Sequence, residues 1–176
     1  RDRDVTGVQT CALPICPGYL GIAIAKKTEM SLYFYDIDEE ALEIAEENII
    51  EASLTNQTYL RQGNVEAIPY PDGAFNLVIS RGSLFFWQDK VKAINEIYRI
   101  LKPGGWAYLG GGFGNKKLKQ MIDNQMLMID EQWLIKAEER KGSKQDYVNL
   151  MKQTKVNTYN LLEGEEGLWI VFKKDK

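Results

Sequence analysis

Runs of strand length alternate with amphipathic runs of helix length through most of this chain, and few folds accept that alternation. Ser31 to Tyr35 and Phe75 to Ser80 are short and dominated by aromatic and aliphatic residues, the composition of buried strands. Between them, Ala41, Leu42, Ala45 and Ile49 fall on one stripe of a helix, with Asp38 placed to cap its first turn. Thr58 to Arg61 adds a short strand. Val91, Ile94, Ile97, Tyr98 and Leu101 recur at helical spacing, and Lys102-Pro103-Gly104-Gly105 is expected to end that helix before a strand from Trp106 to Leu109. Upstream, Tyr19 to Lys27 reads as an apolar helix whose small residues let it lie close to a sheet. Strands alternating with helices pair in parallel, because each helix carries the chain back across the sheet.

The tail breaks the pattern. Helical text from about Asn115 to Thr154 is followed by Thr158 to Leu162, a Glu163-Gly164-Glu165-Glu166-Gly167 turn, and Leu168 to Phe172. Strands joined by so short a turn are antiparallel. The expected architecture is therefore α/β: a doubly wound, mostly parallel sheet with helices on both faces and a C-terminal antiparallel hairpin. At 176 residues the chain is one domain's worth, without internal repeats.

Composition narrows the chemistry. A formal net charge of -3 gives no general pull toward phosphate backbones or anionic lipid, so neither nucleic acid nor a membrane is the expected partner. Lys116, Lys117, Lys119, Lys136, Arg140, Lys141 and Lys144 alternate with Asp123, Glu131, Glu138 and Glu139 and read as solvated helix faces. No apolar run approaches the roughly 20 residues that span a bilayer, and a cytoplasmic location is expected. The chain has no histidine, and its two cysteines, Cys11 and Cys16, lie at the start. Metal and thiolate chemistry are not expected.

The first fifteen residues do not belong to this order. Arg1 to Ile15 resembles one reading frame of a sequencing-library adapter, with Val5 to Ile15 as its primer portion, and is expected to carry neither fold nor function. Residues 16–176 then form a domain lacking its own N-terminal segment and first strand, although Thr10 to Ile15 is apolar enough to occupy a strand position. Changing a single base at the junction turns Cys16 into glycine, so Gly-Pro-Gly is the expected natural text where Cys16-Pro17-Gly18 stands.

Pro17-Gly18 opens a helix, and Asp36 ends the next strand 18 residues later. In doubly wound folds such a glycine lets a ligand approach the backbone, and an acid about 20 residues on accepts from ribose hydroxyls. This spacing suits S-adenosylmethionine (SAM) and NAD equally. Ser80-Arg81-Gly82-Ser83-Leu84-Phe85-Phe86-Trp87 follows a strand at the carboxyl edge, where open α/β sheets bind ligands. Phe85, Phe86 and Trp87 read either as core or as the lining of a substrate pocket. Gly110-Gly111-Gly112-Phe113-Gly114, after the next strand, reads either as backbone open to a substrate or as a flexible turn.

From Cys16 to Lys176 the chain resembles the class I SAM-dependent methyltransferases that act on small molecules. Gly63-Asn64-Val65-Glu66-Ala67-Ile68-Pro69-Tyr70-Pro71-Asp72-Gly73-Ala74-Phe75-Asn76-Leu77-Val78 carries most of the likeness, with Lys102-Pro103-Gly104-Gly105 and the reversed hairpin. The resemblance implies SAM as cofactor and places Gly18, Asp36, Ile37, Asn64, Val65, Arg81 and Gly82 against it. Asp36 would take the ribose. The Asn64 amide oxygen would accept from the adenine amine where the family has aspartate, the next backbone N–H would donate to a ring nitrogen, and Arg81 and Gly82 would lie beside the methionine part, with Arg81 in an orienting role. It implies direct methyl transfer to a small-molecule acceptor, with no metal and no covalent catalyst. Ala12 and Pro14 stand where the family has an acid and the first loop glycine, which implies impaired cofactor binding. An NAD-dependent oxidoreductase and a non-catalytic SAM-fold binding protein are the alternative readings.

Overall fold

The computed structural model describes residues 9–13, 18–55, 57–164 and 167–176. Pro14, Cys16 and Pro17 of the expected glycine loop, and the adapter-like residues 1–8, lie outside the described residues. Gln9–Leu13 forms β1, Tyr19–Ala25 α1, Ser31–Asp36 β2, Glu39–Glu51 α2, Thr58–Gln62 β3, Phe75–Arg81 β4 and Lys90–Ile100 α3. Leu101–Gly111 forms β5, Lys116–Leu127 α4, Trp133–Lys141 α5, Lys144–Met151 α6, Tyr159–Gly164 β6 and Gly167–Lys173 β7. They build one sheet in the order β3-β2-β1-β4-β5-β7-β6, in which β7 alone runs against the rest. The expected parallel sheet with a C-terminal antiparallel hairpin is what the chain forms. Part of the adapter-like text supplies β1, which pairs with β2 on one side and β4 on the other.

Each face of the sheet has its own core. Ala93, Ile94, Ile97 and Ile100 of α3, with Tyr147 and Met151 of α6, pack against Val78, Ala107, Leu109, Ile170 and Phe172. On the opposite face Ile22 of α1 and Leu42 and Ile49 of α2 pack on Leu32, Phe34 and Ile79. Gly21 permits this approach, since a Cβ there would lie 2.5 Å from the Phe34 ring. The second cover stops short. Over β4, β5, β7 and β6, Leu77, Ile79, Tyr108, Leu162 and Trp169 line a groove of about 880 Å³ with Leu20 and Ile24 of α1 as its wall.

One expectation is corrected. Lys102-Pro103-Gly104-Gly105 does not precede the strand but lies inside it: β5 begins at Leu101, which turns extended and pairs with Phe75. Gly104 then takes φ +80°, the register shifts between Phe75 and Leu77, and a Cβ at Gly105 would stand 2.9 Å from the Lys102 carbonyl oxygen and 3.0 Å from that of Asn76. The glycines make a bulge that only they can fill. The text after Asn115 is helical as expected and divides into α4, α5 and α6. Asp130 accepts from the Gln132 N–H at 2.9 Å, and Ser143 and Asp146 form a reciprocal capping box after Gly142 at φ +63°.

Candidate functional site

The strand order reverses between β1 and β4, and beside that reversal, at the carboxyl ends of β2, β3 and β4, lies a cavity of about 310 Å³. Open α/β sheets bind ligands at such reversals, because neighbouring loops diverge there. Tyr35, Asp36 and Ile37 come from the end of β2, Gly63 to Glu66 from the end of β3, and Ser83 and Phe86 to Gln88 from the segment after β4. Asp36, Ile37, Asn64 and Val65, far apart in sequence, thus meet in one wall.

Asp36 is buried, and one of its carboxylate oxygens accepts from the Asp38 N–H at 3.0 Å, which fixes the turn into α2. Ile37 is 63% exposed, an aliphatic side chain left open toward the cavity. Asn64 uses its amide oxygen to cap the turn at Val65–Ala67, accepting from the Glu66 N–H at 2.9 Å. That oxygen has a second lone pair, so capping and ligand binding are compatible.

Several lining residues make contacts that the sequence alone does not reveal. The Tyr35 hydroxyl donates to the Asn64 carbonyl oxygen at 3.0 Å, and Gly63 is obligatory because a Cβ would fall 2.2 Å from that hydroxyl. Glu66 accepts from the Gln88 N–H at 3.1 Å and the Asp89 N–H at 3.0 Å, fastening the loop after β3 to the segment after β4. The loop is also pinned from α3. Arg99 donates to the carbonyl oxygens of Ile68 and Tyr70, both at 2.8 Å, and pairs with Glu96 and Asp72 at 2.8 Å each. Hydrogen bonding from Arg99 holds both carboxyls below the usual carboxylate range, although burial pushes Glu96 the other way. In sequence these carboxylates look like ordinary surface charges; only the fold brings them to the guanidinium.

The three aromatic residues separate. Phe85 packs against the core, Phe86 is 67% exposed at the cavity, and Trp87 is buried in its wall. Trp87 Nε1 has no hydrogen-bond partner among the described residues. Arg81 and Gly82 do not line this cavity. Arg81 donates through Nε and Nη2 to the Gly112 carbonyl oxygen at 3.1 and 2.7 Å, tying the end of β4 to the turn after β5, and Gly82 takes φ +81°. Of the glycine run, Gly110 and Gly111 belong to β5, and a Cβ at Gly110 would sit 2.3 Å from the Leu168 carbonyl oxygen. Gly18 takes φ +80° and meets α2, a Cβ there falling 3.2 Å from that of Ala45. No cluster of metal-ligating side chains occurs among the described residues.

The cavity suits a nucleoside. It sits at the lower end of the roughly 300–1,000 Å³ of ligand pockets, with a carboxylate for hydroxyl donors, apolar side chains for a flat base and polar atoms at its rim. A protein of Methanococcus maripaludis, assigned as a SAM-dependent methyltransferase, superposes with a TM-score of 0.89 at 36% identity, over 98% of this chain and 80% of its own. A methyltransferase of Bacillus subtilis, YdaC, is 33% identical over 92 residues, 52% of this chain and 49% of YdaC. A demethylmenaquinone methyltransferase of Lactiplantibacillus plantarum is 34% identical over 85 residues, 47% of this chain and 36% of that protein. The matches span about a third to a half of such curated relatives. The profile of the family described as Methyltransferase domain matches residues 15–109, more than half of the chain, and the chain belongs to that family, the class I SAM-dependent methyltransferases.

Proposed function

We propose that this chain binds SAM in the cavity and transfers its methyl group to a small-molecule acceptor in the cytoplasm, with neither a nucleic-acid partner nor a metal. The convergence of Asp36, Ile37, Asn64 and Val65 on one cavity carries this reading. Bound SAM would supply an electrophilic methyl on a sulfonium. The residues of the chain supply position. Asp36 accepts from the ribose hydroxyls, Asn64 meets the exocyclic amine, and Ile37 and Val65 flank the base. Arg81 and Gly82, at the carboxyl edge beyond the cavity, face the methionine part. The Gly112 carbonyl holds the guanidinium of Arg81 in place, so it orients a neighbour without reorganising. Phe86 and Trp87 line the acceptor's approach and exclude water, and Phe85 supports them from the core. Transfer then needs alignment rather than a covalent catalyst.

Pro14 and Cys16 stand at the loop that should lie against the cofactor, and we propose that they weaken binding. Calorimetry with SAM and with NAD, on this chain and on one whose residues 1–16 are exchanged for those of the Methanococcus maripaludis relative, tests both points. SAM is expected to bind the exchanged chain at least tenfold more tightly than this one, and NAD to bind neither. Preference for NAD would overturn the cofactor, and equal SAM affinity would clear the loop. Methyl release from SAM over a metabolite pool then distinguishes an enzyme from a binding protein.

A further inference from the structure

The candidate cavity has two walls that reach it from different strands. The wall of Asn64 and Val65 is held where it stands: the Tyr35 hydroxyl donates to the Asn64 carbonyl oxygen at 3.0 Å, and the Gly63 N–H donates to the Asp36 carbonyl oxygen at 2.7 Å. The opposite wall, of Phe86, Trp87 and Gln88, belongs to the segment between β4 and α3, whose backbone turns extended at Trp87. The N–H groups of Gln88 and Asp89 precede the first turn of α3, so the helix offers them no acceptor, and the Asp89 side chain is engaged in capping the Lys92 N–H at 2.9 Å. One carboxylate oxygen of Glu66 serves both, at 3.1 and 3.0 Å, from 22 and 23 residues away. Two charge-assisted bonds to a single oxygen fix where the second wall stands relative to the first. The far part of the Glu66 loop is held separately, by Arg99 through the Ile68 and Tyr70 carbonyls and by Glu96 through the Ile68 N–H at 3.0 Å. Loss of the Glu66 carboxylate therefore leaves the loop anchored and releases the second wall.

We propose that Glu66 is a positioning residue for the cofactor: without touching the ligand, it sets the gap between the wall of Asn64 and Val65 and the wall of Phe86, Trp87 and Gln88, and with it the closeness of fit around the base. The inference rests on the reading of the cavity as a nucleoside site and goes beyond it by assigning affinity to a residue whose task is reach rather than charge at the ligand. Three variants separate the two. Glu66→Gln keeps the length and an acceptor oxygen for both N–H groups but not the charge, Glu66→Asp keeps the charge but is one methylene short, and Glu66→Ala keeps neither.

S-adenosylhomocysteine and adenosine are titrated calorimetrically, at up to millimolar concentration, into the full wild-type chain and each variant. Glu66→Ala and Glu66→Asp are expected to bind both ligands about tenfold more weakly, and Glu66→Gln within about threefold of wild type. Equal factors for the two ligands place the effect at the nucleoside, and a loss confined to S-adenosylhomocysteine would overturn the inference. So would a Glu66→Gln chain that binds as weakly as Glu66→Ala, because charge and not reach would then be what counts. Should Glu66→Ala fail to fold, Glu66→Asp against Glu66→Gln decides, and affinity for Glu66→Asp equal to or above that for Glu66→Gln overturns the proposal. Variants that melt below wild type yet bind both ligands as tightly would also overturn it, leaving Glu66 as a tie of the fold alone. A wild-type chain that binds neither ligand would instead overturn the nucleoside reading, and this inference with it.

Discussion

Asn64 shows how one side chain serves both the fold and the site. Its amide oxygen caps the turn that carries Val65 and Glu66, and the cap is what presents the amide group to the cavity. Asn64→Asp retains an acceptor for the Glu66 N–H, so the turn should survive and SAM affinity should hold or rise; calorimetry showing a large loss would mean that the ligand uses the amide N–H₂. Asp36→Ala removes a charged acceptor. It should weaken SAM at least tenfold, in line with about 1.5–3 kcal/mol for a hydrogen bond to a charged group, and an unchanged dissociation constant would take Asp36 out of the site. Asp36 and Asn64 were legible in the sequence because position after a strand betrays them. The contact of Tyr35 with the Gly63-Asn64 turn was not, since a hydroxyl reaching under the next loop leaves no periodicity behind.

At the scale of elements, Arg99 ties the Ile68–Asp72 loop to α3, and its partners make that tie sensitive to acid. Glu96 and Asp72 are held below the usual carboxylate range by the guanidinium, so their contribution is whole above an ordinary pKa of about 4 and is lost as pH falls through the lowered folded-state values. Arg99→Met should therefore melt below wild type near neutrality, and the gap in melting temperature should narrow as the pH drops below about 4. A gap independent of pH would assign the effect to the carbonyl contacts alone. Arg81 joins β4 to the turn after β5 through a carbonyl, and has no ion pair among the described residues. Arg81→Ala is expected to lower turnover more than it lowers the melting temperature, and wild-type turnover would make Arg81 a purely structural tie. Periodicity was a sound guide to α2 and α3. It failed at Lys102-Pro103-Gly104-Gly105, because a proline-glycine break and a glycine bulge within a strand share one composition; what separates them is the pairing of Leu101 with Phe75, a contact made across the fold.

Across the whole molecule the two faces of the sheet are unequally covered. Trp106, Tyr108 and Leu162 are 40%, 39% and 53% exposed over a half-sheet that no helix shields among the described residues. An apolar face of this kind should bind an environment-sensitive hydrophobic dye in the native state. Leu162→Lys should cut that fluorescence without lowering the melting temperature, and undiminished fluorescence would place the dye elsewhere. The sheet order itself was legible only in part. Alternation indicated parallel pairing, and the short turn after Glu163 indicated the reversed hairpin, but that β7 inserts between β5 and β6 follows from pairings between distant residues.

Residues Gln9–Leu13 stand in the middle of the sheet although they come before every other strand. On the ribosome, this segment emerges long before β4, the neighbour that encloses it, has been synthesised. Its backbone hydrogen-bonding groups must wait in solvent or in a chaperone's keeping, and non-local parallel pairing of this kind is slow. Nor does β5 gain its outer neighbour until β7, the last strand, has been translated. A ribosome stalled before Tyr159 would hold out an unpaired edge flanked by Trp106 and Tyr108, a template for the nascent chain beside it.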